Sequence, residues 1–343
     1  MRRVLVTGGC GFIGSNLVHE LLAHSAIVEV VDDMSNGHLE FLLEDNSYVG
    51  VPTVRVVPIN LLRAYEEQNI EDRNSPPDVL VIDGDFAHAD VLTRIRDGHY
   101  DVIFHLAANP RVTYSVNNPT ETTEQNVLKT VGLFEVASKS NTRVVFSSSA
   151  SVYGDSDELP TTEEANKVQN SPYGLQKFVG ERFGEMFARL YGLDIVSLRY
   201  FNVYGPRQYG GSAYSTAVCA WCDKIKGGLS LRSDGDGTQS RDLVYVGDVV
   251  AANILAAGRE EPFRGEAYNV ASGEVHTNNE ILEMFLNKFS NVTVESAPWR
   301  LGDVMHTQAS TTAATDALGF KAQTGLKEGL ALTWKWWGLD GGL

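Results

Sequence analysis

Six apolar segments recur along the first 200 residues, and amphipathic stretches separate them. They are RVLVT at 3–7, IVEVVD at 27–32, DVLVIDGD at 78–85, DVIFHLAA at 101–108, RVVFSSSA at 143–150 and DIVSLRYF at 194–201. Strands that alternate with helical patterns are typical of βαβ units, whose strands are parallel. The segments are nearly all apolar, as expected for strands that helices cover on both faces. The pattern predicts an α/β protein with a doubly wound parallel sheet.

The pattern becomes irregular after residue 200. The stretches GPRQYGGS and SDGDGTQS interrupt 201–343, which we interpret as mainly a smaller C-terminal substrate-binding domain of loops and short elements. EAYNVAS at 266–272 is strand-like again, so we expect 243–272 to return to the first domain, 1–200. Residues 42–77 contain the polar run EEQNIEDRNSPP and no strand in our interpretation. We treat them as an insertion whose role, as a lid or a subunit contact, stays open.

Charge and composition exclude several classes of protein. The 343 residues include 44 acidic and 28 basic side chains, a formal net charge of −16, whereas nucleic acids and anionic membranes need a basic face. No segment has the apolar length of a membrane span or of a signal peptide, so we expect a cytoplasmic protein. Cys219 and Cys222 form a CxxC pair without further ligands, and His105 is interpreted as a satisfied strand residue, so no metal site is predicted.

A glycine-rich segment, TGGCGFIGSN, follows the first strand and opens a helix. Gly8, Gly11 and Gly14 permit a tight turn and close approach to a pyrophosphate, whose charge the helix N-terminus then meets. Asp32 ends the second strand, where a carboxylate accepts hydrogen bonds from the adenosine ribose, and the adjacent Asp33 disfavours a 2′-phosphate. These features predict a Rossmann-type site for NAD, and the alternative is a purely structural glycine turn.

Three further residues predict hydride chemistry. Ser149 ends the fifth strand, and Tyr173 and Lys177 lie in SPYGLQK, four residues apart and therefore on one helix face. An ammonium beside a phenol favours the phenolate, as does a positive nicotinamide ring, so Tyr173 can act as a base. Ser149 can donate a hydrogen bond to the same substrate oxygen. A lone YxxxK is common on helices by chance, and only its order after the glycine loop, Asp32 and the Ser-rich strand end favours catalysis.

Together these motifs resemble the extended short-chain dehydrogenase/reductase family, and within it the NAD-dependent sugar-nucleotide 4-epimerases acting on UDP-glucose, UDP-N-acetylglucosamine or UDP-glucuronate. The resemblance covers nearly the whole chain outside 42–77. It also rests on HLAAN, RYFNVYGPRQ, SRDLVYVGDV, YNVASG and RLGDVMH. It implies a cofactor site formed by Gly8, Gly11, Phe12, Ile13, Gly14, Asp32, Asp33, Asn36, Gly37, Asp85, Phe86, Leu106, Ala107, Ala108, Tyr173, Lys177 and Tyr200.

The same resemblance implies a substrate site for a UDP-sugar. Asn202 would contact the UDP phosphates, Arg241 and Arg300 would clamp the diphosphate, and Asp303 would hold the uridine ribose. Arginine forks suit phosphate oxygens and localise positive charge on an acidic protein. Thr307 would stand at the sugar pocket wall, together with Ser149 at the reacting carbon. The resemblance further implies a homodimer formed through helices near 118–140 and 172–191.

The residue before VYG separates the reactions of this family. Dehydratases and decarboxylases that resemble the chain carry an acidic residue there, whereas this chain has Ser151, so 4-epimerisation is predicted. A threonine at position 307 leaves room for a 2-acetamido group, which predicts activity on UDP-N-acetylglucosamine as well as UDP-glucose. The alternatives are a UDP-glucuronate 4-epimerase, another NAD-dependent sugar-nucleotide oxidoreductase, and a non-catalytic NAD-binding scaffold.

Overall fold

The computed structural model describes residues 2–24, 26–44, 50–68, 77–209, 216–299 and 304–341. The strands are β1 Arg3–Thr7, β2 Ile27–Asp32, β3 Val54–Pro58, β4 Val79–Asp83, β5 Val102–His105, β6 Arg143–Ser149, β7 Ile195–Tyr200, β8 Val203–Tyr204, β9 Leu231–Asp234, β10 Ser240–Asp242, β11 Val244–Tyr245, β12 Ala267–Val270, β13 Val275–Thr277 and β14 Val294–Ala297. The helices are α1 Phe12–Ala23, α2 Leu62–Gln68, α3 Ala89–Arg96, α4 Val112–Asn117, α5 Pro119–Thr123, α6 Lys129–Ala137, α7 Pro172–Tyr191, α8 Ala217–Lys226, α9 Val246–Gly258, α10 Asn278–Lys288, α11 Thr312–Leu318 and α12 Leu326–Trp336. A π-helical segment, Glu124–Leu128, joins α5 to α6.

In the described part of the chain, eight strands form one sheet in the order β12-β7-β6-β5-β1-β2-β4-β3, and all neighbours are parallel. The chain winds outward from β1 to β2 and its neighbours, then returns to place β5 on the other side of β1. In open α/β sheets a ligand cleft forms at such a reversal, outside the carboxyl ends of the strands. The predicted doubly wound parallel sheet is confirmed, and the reversal lies between β1 and β5.

The alternation of side chains along β1 explains the two helical layers. Val4 and Val6 face one side and pack with α1 and α9, whereas Leu5 faces the other side and packs with α3, α6 and α7. All three side chains are buried. Because both faces of the sheet are covered, the central strands are continuously apolar, which is the pattern that made them recognisable in the sequence.

A smaller unit follows the large sheet. Its core joins α8, α10 and α12, with Trp221, Phe285 and Leu330 buried at the centre. Two elements from the same part of the sequence return to the large sheet: β12 joins its edge beside β7, and α9 packs against α1. Among the described helices, none is long and apolar enough to cross a membrane.

The segment 42–77 differs from the expected strandless excursion. Its residues Val54–Pro58 form β3 at the sheet edge, parallel to β4, with Val57 buried. The sequence pattern did not predict this strand because its remaining residues are partly or fully exposed. It therefore lacks the continuous apolar run of the central strands. Much of the polar run that suggested an excursion, 69–76, lies outside the described residues.

Candidate active site

The glycine-rich loop lies where the sheet order reverses. Thr7, the last residue of β1, is paired with Val31 of β2 and with His105 of β5, so the loops after these three strands leave the same edge together. Gly8 adopts a left-handed backbone (φ 73°), and a Cβ on it would lie 2.9 Å from the amide nitrogen of Ala107. The loops after β1 and β5 are therefore in direct contact at the reversal point.

The helix that follows this loop has the features of a phosphate site. A Cβ on Gly14 would lie 2.1 Å from the carbonyl oxygen of Gly8, so only glycine lets α1 begin this close to the strand. A Cβ on Gly11 would meet only that carbonyl oxygen, at 3.2 Å, so the loop is otherwise open there. The helix has no side-chain cap and no acidic residue in its first turn, Phe12 and Ile13 included. Its amide groups can therefore meet an anion, and the residues present fit a dinucleotide.

Asp32 stands at the end of β2, beside the glycine loop. Its carboxylate is buried and accepts hydrogen bonds from the backbone amides of Cys10 and Met34, both at 2.9 Å. Burial raises its pKa, and those two hydrogen bonds oppose the rise. Gly37 packs so closely that a Cβ would lie 2.7 Å from Oδ1 of Asp32. Asp33 is exposed, so this edge presents two carboxylates, as a ribose site that rejects a 2′-phosphate requires.

The remaining predicted cofactor residues lie at or just after the ends of strands of the large sheet. Asp85 forms an ion pair with Lys129 at 2.6 Å, and the buried Phe86 packs edge-on against His105 at 4.8 Å between centroids. Leu106, Ala107 and Ala108 follow β5 directly, and the amide of Ala107 donates to the Thr7 hydroxyl. Tyr200 is the last residue of β7, and its buried hydroxyl donates to Asn253 of α9 at 2.9 Å. Its contact with the cofactor stays a prediction.

Ser149, Tyr173 and Lys177 are brought together, as the sequence predicts. A hydrogen bond joins Ser149 to Tyr173, and Nζ of Lys177 lies 6.0 Å from the centre of the Tyr173 ring. Helix α7 can begin here because Ser171 caps it by accepting from the amide of Gly174, and Pro172 occupies its first turn. Ser149 in turn accepts from the amide of Ser151 at 3.1 Å.

Burial dominates the protonation of Tyr173 and Lys177 in the protein alone. Burial raises the pKa of Tyr173 to about 12, and the hydrogen bond with Ser149 offsets this only in part. Burial also lowers the pKa of Lys177 to about 7, against the nearby charge of Glu181. In the protein alone, Nζ of Lys177 donates to the carbonyl oxygen of Ser147 at 2.7 Å. Stabilisation of a Tyr173 phenolate by Lys177 and the nicotinamide ring stays a prediction.

Three of the predicted substrate residues form one cluster. The amide of Asn202 donates to the hydroxyl of Thr307 at 3.1 Å, and Arg241 donates to the backbone carbonyls of Ser240 and Met305. Two strand-like bridges, Thr161 with Ala309 and Ser240 with His306, hold this cluster beside the segment that follows β6. Arg300 and Asp303 lie outside the described residues.

Sequence reasoning missed the residue that organises this cluster, Asp242. Its buried carboxylate accepts from the amide and hydroxyl of Ser272 and from the amides of Gly273 and Ala309, while its own amide donates to Thr307. One side chain thus ties β10 to the turn after β12 and to the segment carrying Thr307. A buried acid in the strand-like stretch SRDLV is the signal that could have revealed it, because buried carboxylates need several hydrogen-bond donors.

Comparison with known proteins places this geometry in a family. The profile of the NAD dependent epimerase/dehydratase family matches residues 4–271, which include the glycine loop, Ser149, Tyr173 and Lys177. The chain belongs to the NAD dependent epimerase/dehydratase family. The predicted family and NAD cofactor are therefore confirmed.

Individual relatives span nearly the whole chain. The UDP-glucose 4-epimerase of Mycolicibacterium smegmatis is 34% identical over 335 residues, covering 96% of this chain and 97% of the relative. Among solved structures, the UDP-N-acetylglucosamine 4-epimerase from Methanobrevibacter ruminantium, in complex with UDP-N-acetylmuramic acid, has a TM-score of 0.83 at 32% identity and covers 98% of this chain and 97% of its own. The UDP-glucose 4-epimerase from Thermotoga maritima with UDP-glucose has a TM-score of 0.82 at 31% identity, with coverage of 97% and 98%.

Proposed function

We propose that this enzyme is an isomerase that interconverts the 4-epimers of UDP-hexoses, UDP-glucose with UDP-galactose and UDP-N-acetylglucosamine with UDP-N-acetylgalactosamine. The observation that carries the proposal is the hydroxyl of Ser151, which lies 3.1 Å from the hydroxyl of Ser149. A dehydratase needs an acidic side chain at this point, and a serine hydroxyl is too weak an acid to transfer its proton near neutral pH. Oxidation and reduction at carbon 4 need no such acid, so epimerisation remains.

The residues of the site divide this reaction between them. When bound, NAD supplies a reversible hydride acceptor and a positive ring charge. Tyr173 takes the proton of the sugar 4-hydroxyl group, and Ser149 donates a hydrogen bond to the same oxygen. Asn202 and Arg241, with Arg300 and Asp303, anchor the UDP moiety while the 4-keto sugar turns over. After the sugar has turned, carbon 4 receives the hydride on its opposite face, and Tyr173 returns the proton to the 4-oxygen.

We attribute the proposed substrate range to the short side chain of Thr307. Its hydroxyl is engaged by Asn202 and by the amide of Asp242, and a short side chain held in this way leaves room beside the sugar for a 2-acetamido group. A panel of UDP-glucose, UDP-N-acetylglucosamine and UDP-glucuronate, with products identified by NMR, tests the proposal. The first two should each yield the 4-epimer, and conversion of UDP-glucose alone would contradict the assignment of Thr307. Conversion of only UDP-glucuronate would favour a glucuronate epimerase instead.

A substitution of Tyr173 distinguishes a catalytic protein from a non-catalytic NAD-binding scaffold. Tyr173→Phe keeps the ring and removes the proton acceptor, so turnover should fall by roughly 10²- to 10⁴-fold. NAD content of the purified protein should stay the same, since the phenol oxygen is a small part of the cofactor site. Unchanged turnover would favour the scaffold alternative.

We also propose a homodimer, with the protein resident in the cytoplasm, where three buried free cysteines suit a reducing environment. The side chains of Val116, Leu128 and Leu175 on α4, the π segment and α7 are 54%, 65% and 49% exposed, which is more apolar surface than one helical region usually leaves in water. Sedimentation should show a dimer that Leu128→Glu dissociates. Leu229→Glu, at an equally exposed position between α8 and β9, should leave it intact, and a wild-type monomer would contradict the proposal.

A further inference from the structure

Arg111 and Asn36 link the two loops on either side of the glycine-rich loop. Arg111 lies six residues after the end of β5, and its guanidinium donates to the side-chain oxygen of Asn36 in the loop after β2. The strands β5, β1 and β2 are neighbours in that order, and their ends are in register. A contact between the two outer loops therefore spans the loop after β1, where Gly8 and Gly11 form the phosphate site.

Both ends of this link are held rigidly. On the β5 side, the buried side chain of Asn126, in the π segment, accepts from the amide of Asn109 at 2.8 Å and donates to its carbonyl at 3.1 Å. On the β2 side, Gly37 packs against Cys10 and Asp32 so tightly that no Cβ fits. The backbone on both sides is thus positioned before any ligand binds, which lowers the entropy cost of binding.

The charge of Arg111 is not neutralised by this contact, because its partner is a neutral amide. Within the described ranges no carboxylate pairs with Arg111, whereas other cations near the cleft are committed, Lys129 to Asp85 and Arg207 to Glu44. The loop itself is surrounded by negative charge, chiefly from Asp32. A dianionic pyrophosphate placed there requires a cation, and a guanidinium matches phosphate oxygens.

We propose that Arg111 is a ligand of the cofactor pyrophosphate, its side chain turning from Asn36 onto a phosphate oxygen while the backbone of the loop after β5 keeps its place. The inference rests on the NAD cofactor of the family and adds a residue to its site. Asn36 serves as the resting partner of the guanidinium. The side chain then acts on cofactor retention, which matters in an enzyme that recycles one bound NAD.

The test compares ligands that differ in their phosphates. Full-length protein, dialysed free of bound nucleotide, is titrated calorimetrically with NAD, ADP-ribose, adenosine and UDP. Arg111→Met should lower the affinities for NAD and ADP-ribose by roughly 10- to 100-fold, the size expected for a lost charge-assisted hydrogen bond. The affinities for adenosine and UDP should stay unchanged. Arg111→Lys, which keeps the charge, should bind NAD with an affinity between those of the wild type and Arg111→Met. Raising the salt concentration should weaken NAD binding more in the wild type than in Arg111→Met.

The matched control is Arg96→Met, which removes the same charge from an exposed position at the end of α3. It should leave NAD affinity within about twofold of the wild type, as expected for an exposed charge. NAD affinity unchanged in Arg111→Met would overturn the proposal. So would an equal loss of adenosine binding, which indicates a general distortion, or a selective loss of UDP binding, which places Arg111 at the substrate. A wild-type protein that binds no NAD at all would instead refute the cofactor assignment itself.

Discussion

At the scale of single residues, the site is distinguished by ionisable groups that burial keeps neutral. His105 is completely buried at the end of β5, with Nδ1 2.8 Å from the hydroxyl of Thr7 and Nε2 2.9 Å from the hydroxyl of Thr130. Burial, and secondarily the charge of Lys177, lowers its pKa to about 3. The interpretation of His105 as a satisfied strand residue is confirmed, and its neutral ring fixes Thr7 beside the glycine loop.

The lowered pKa of His105 makes the free energy of unfolding depend on pH in the acid range. The folded pKa of His105, about 3, lies below the ordinary histidine value of 6.5, so the unfolded chain takes up the proton first as the pH falls. Its contribution is complete above about pH 6.5 and is lost progressively towards pH 3. Between pH 6 and 5, the free energy of unfolding, measured in urea, should fall more steeply in the wild type than in His105→Gln, by about 1 kcal/mol per pH unit. Equal slopes would show that His105 titrates normally.

At the scale of elements, the sequence predicted what depends on local pattern. The bounds of the central strands were predicted to within three residues, because apolar runs bounded by glycine or acid mark them. The glycine loop was also found, because its spacing is fixed by backbone contacts. The edge strand β3 was missed, since only Val57 of its side chains is buried. The hydrogen bond of Tyr200 was not predicted, because its partner, Asn253, lies 53 residues away on α9.

The junction of β1 and α1 offers a matched pair of glycine substitutions. In Gly14→Ala the new Cβ would lie 2.1 Å from the carbonyl of Gly8, so the loop must shift. We expect a destabilisation of roughly 1–3 kcal/mol and weaker NAD binding. Gly132→Ala, in α6, meets nothing within 4 Å and should stabilise the protein by up to about 1 kcal/mol. Urea unfolding and NAD titration check both variants, and normal NAD binding by Gly14→Ala would contradict the described loop.

At the scale of the whole molecule, one polar cluster joins the C-terminal helix to the sheet domain. Arg207, in a left-handed backbone conformation (φ 69°), donates to Glu44 at 2.8 Å and to Asn16 of α1 at 2.9 Å. The indole of Trp336 in α12 donates to the same carboxylate. These partners are 163 to 292 residues apart, so periodicity and spacing could not predict the cluster. It connects the start of α1 with the loop that follows Asn202.

Removing Arg207 tests this connection. Arg207→Met leaves Glu44 without its charged partner, and because that carboxylate is 32% exposed we expect a moderate loss of roughly 1–3 kcal/mol in the free energy of unfolding. Arg232→Met removes an arginine of an exposed ion pair, 54% exposed, and should cost less than about 0.5 kcal/mol. Denaturation in urea measures both. Equal effects would mean that the cluster contributes no more than a surface contact.

In the proposed reaction, hydride leaves and returns to the same sugar carbon while Tyr173 takes up and releases the proton. The most direct measurement uses UDP-glucose carrying deuterium at carbon 4, incubated with the enzyme in ordinary water and followed by NMR and by absorbance of reduced cofactor. UDP-galactose should form with the deuterium retained at carbon 4 and with no net accumulation of reduced NAD. Product that has exchanged its deuterium for solvent hydrogen, or steady release of reduced NAD without an epimer, would contradict it.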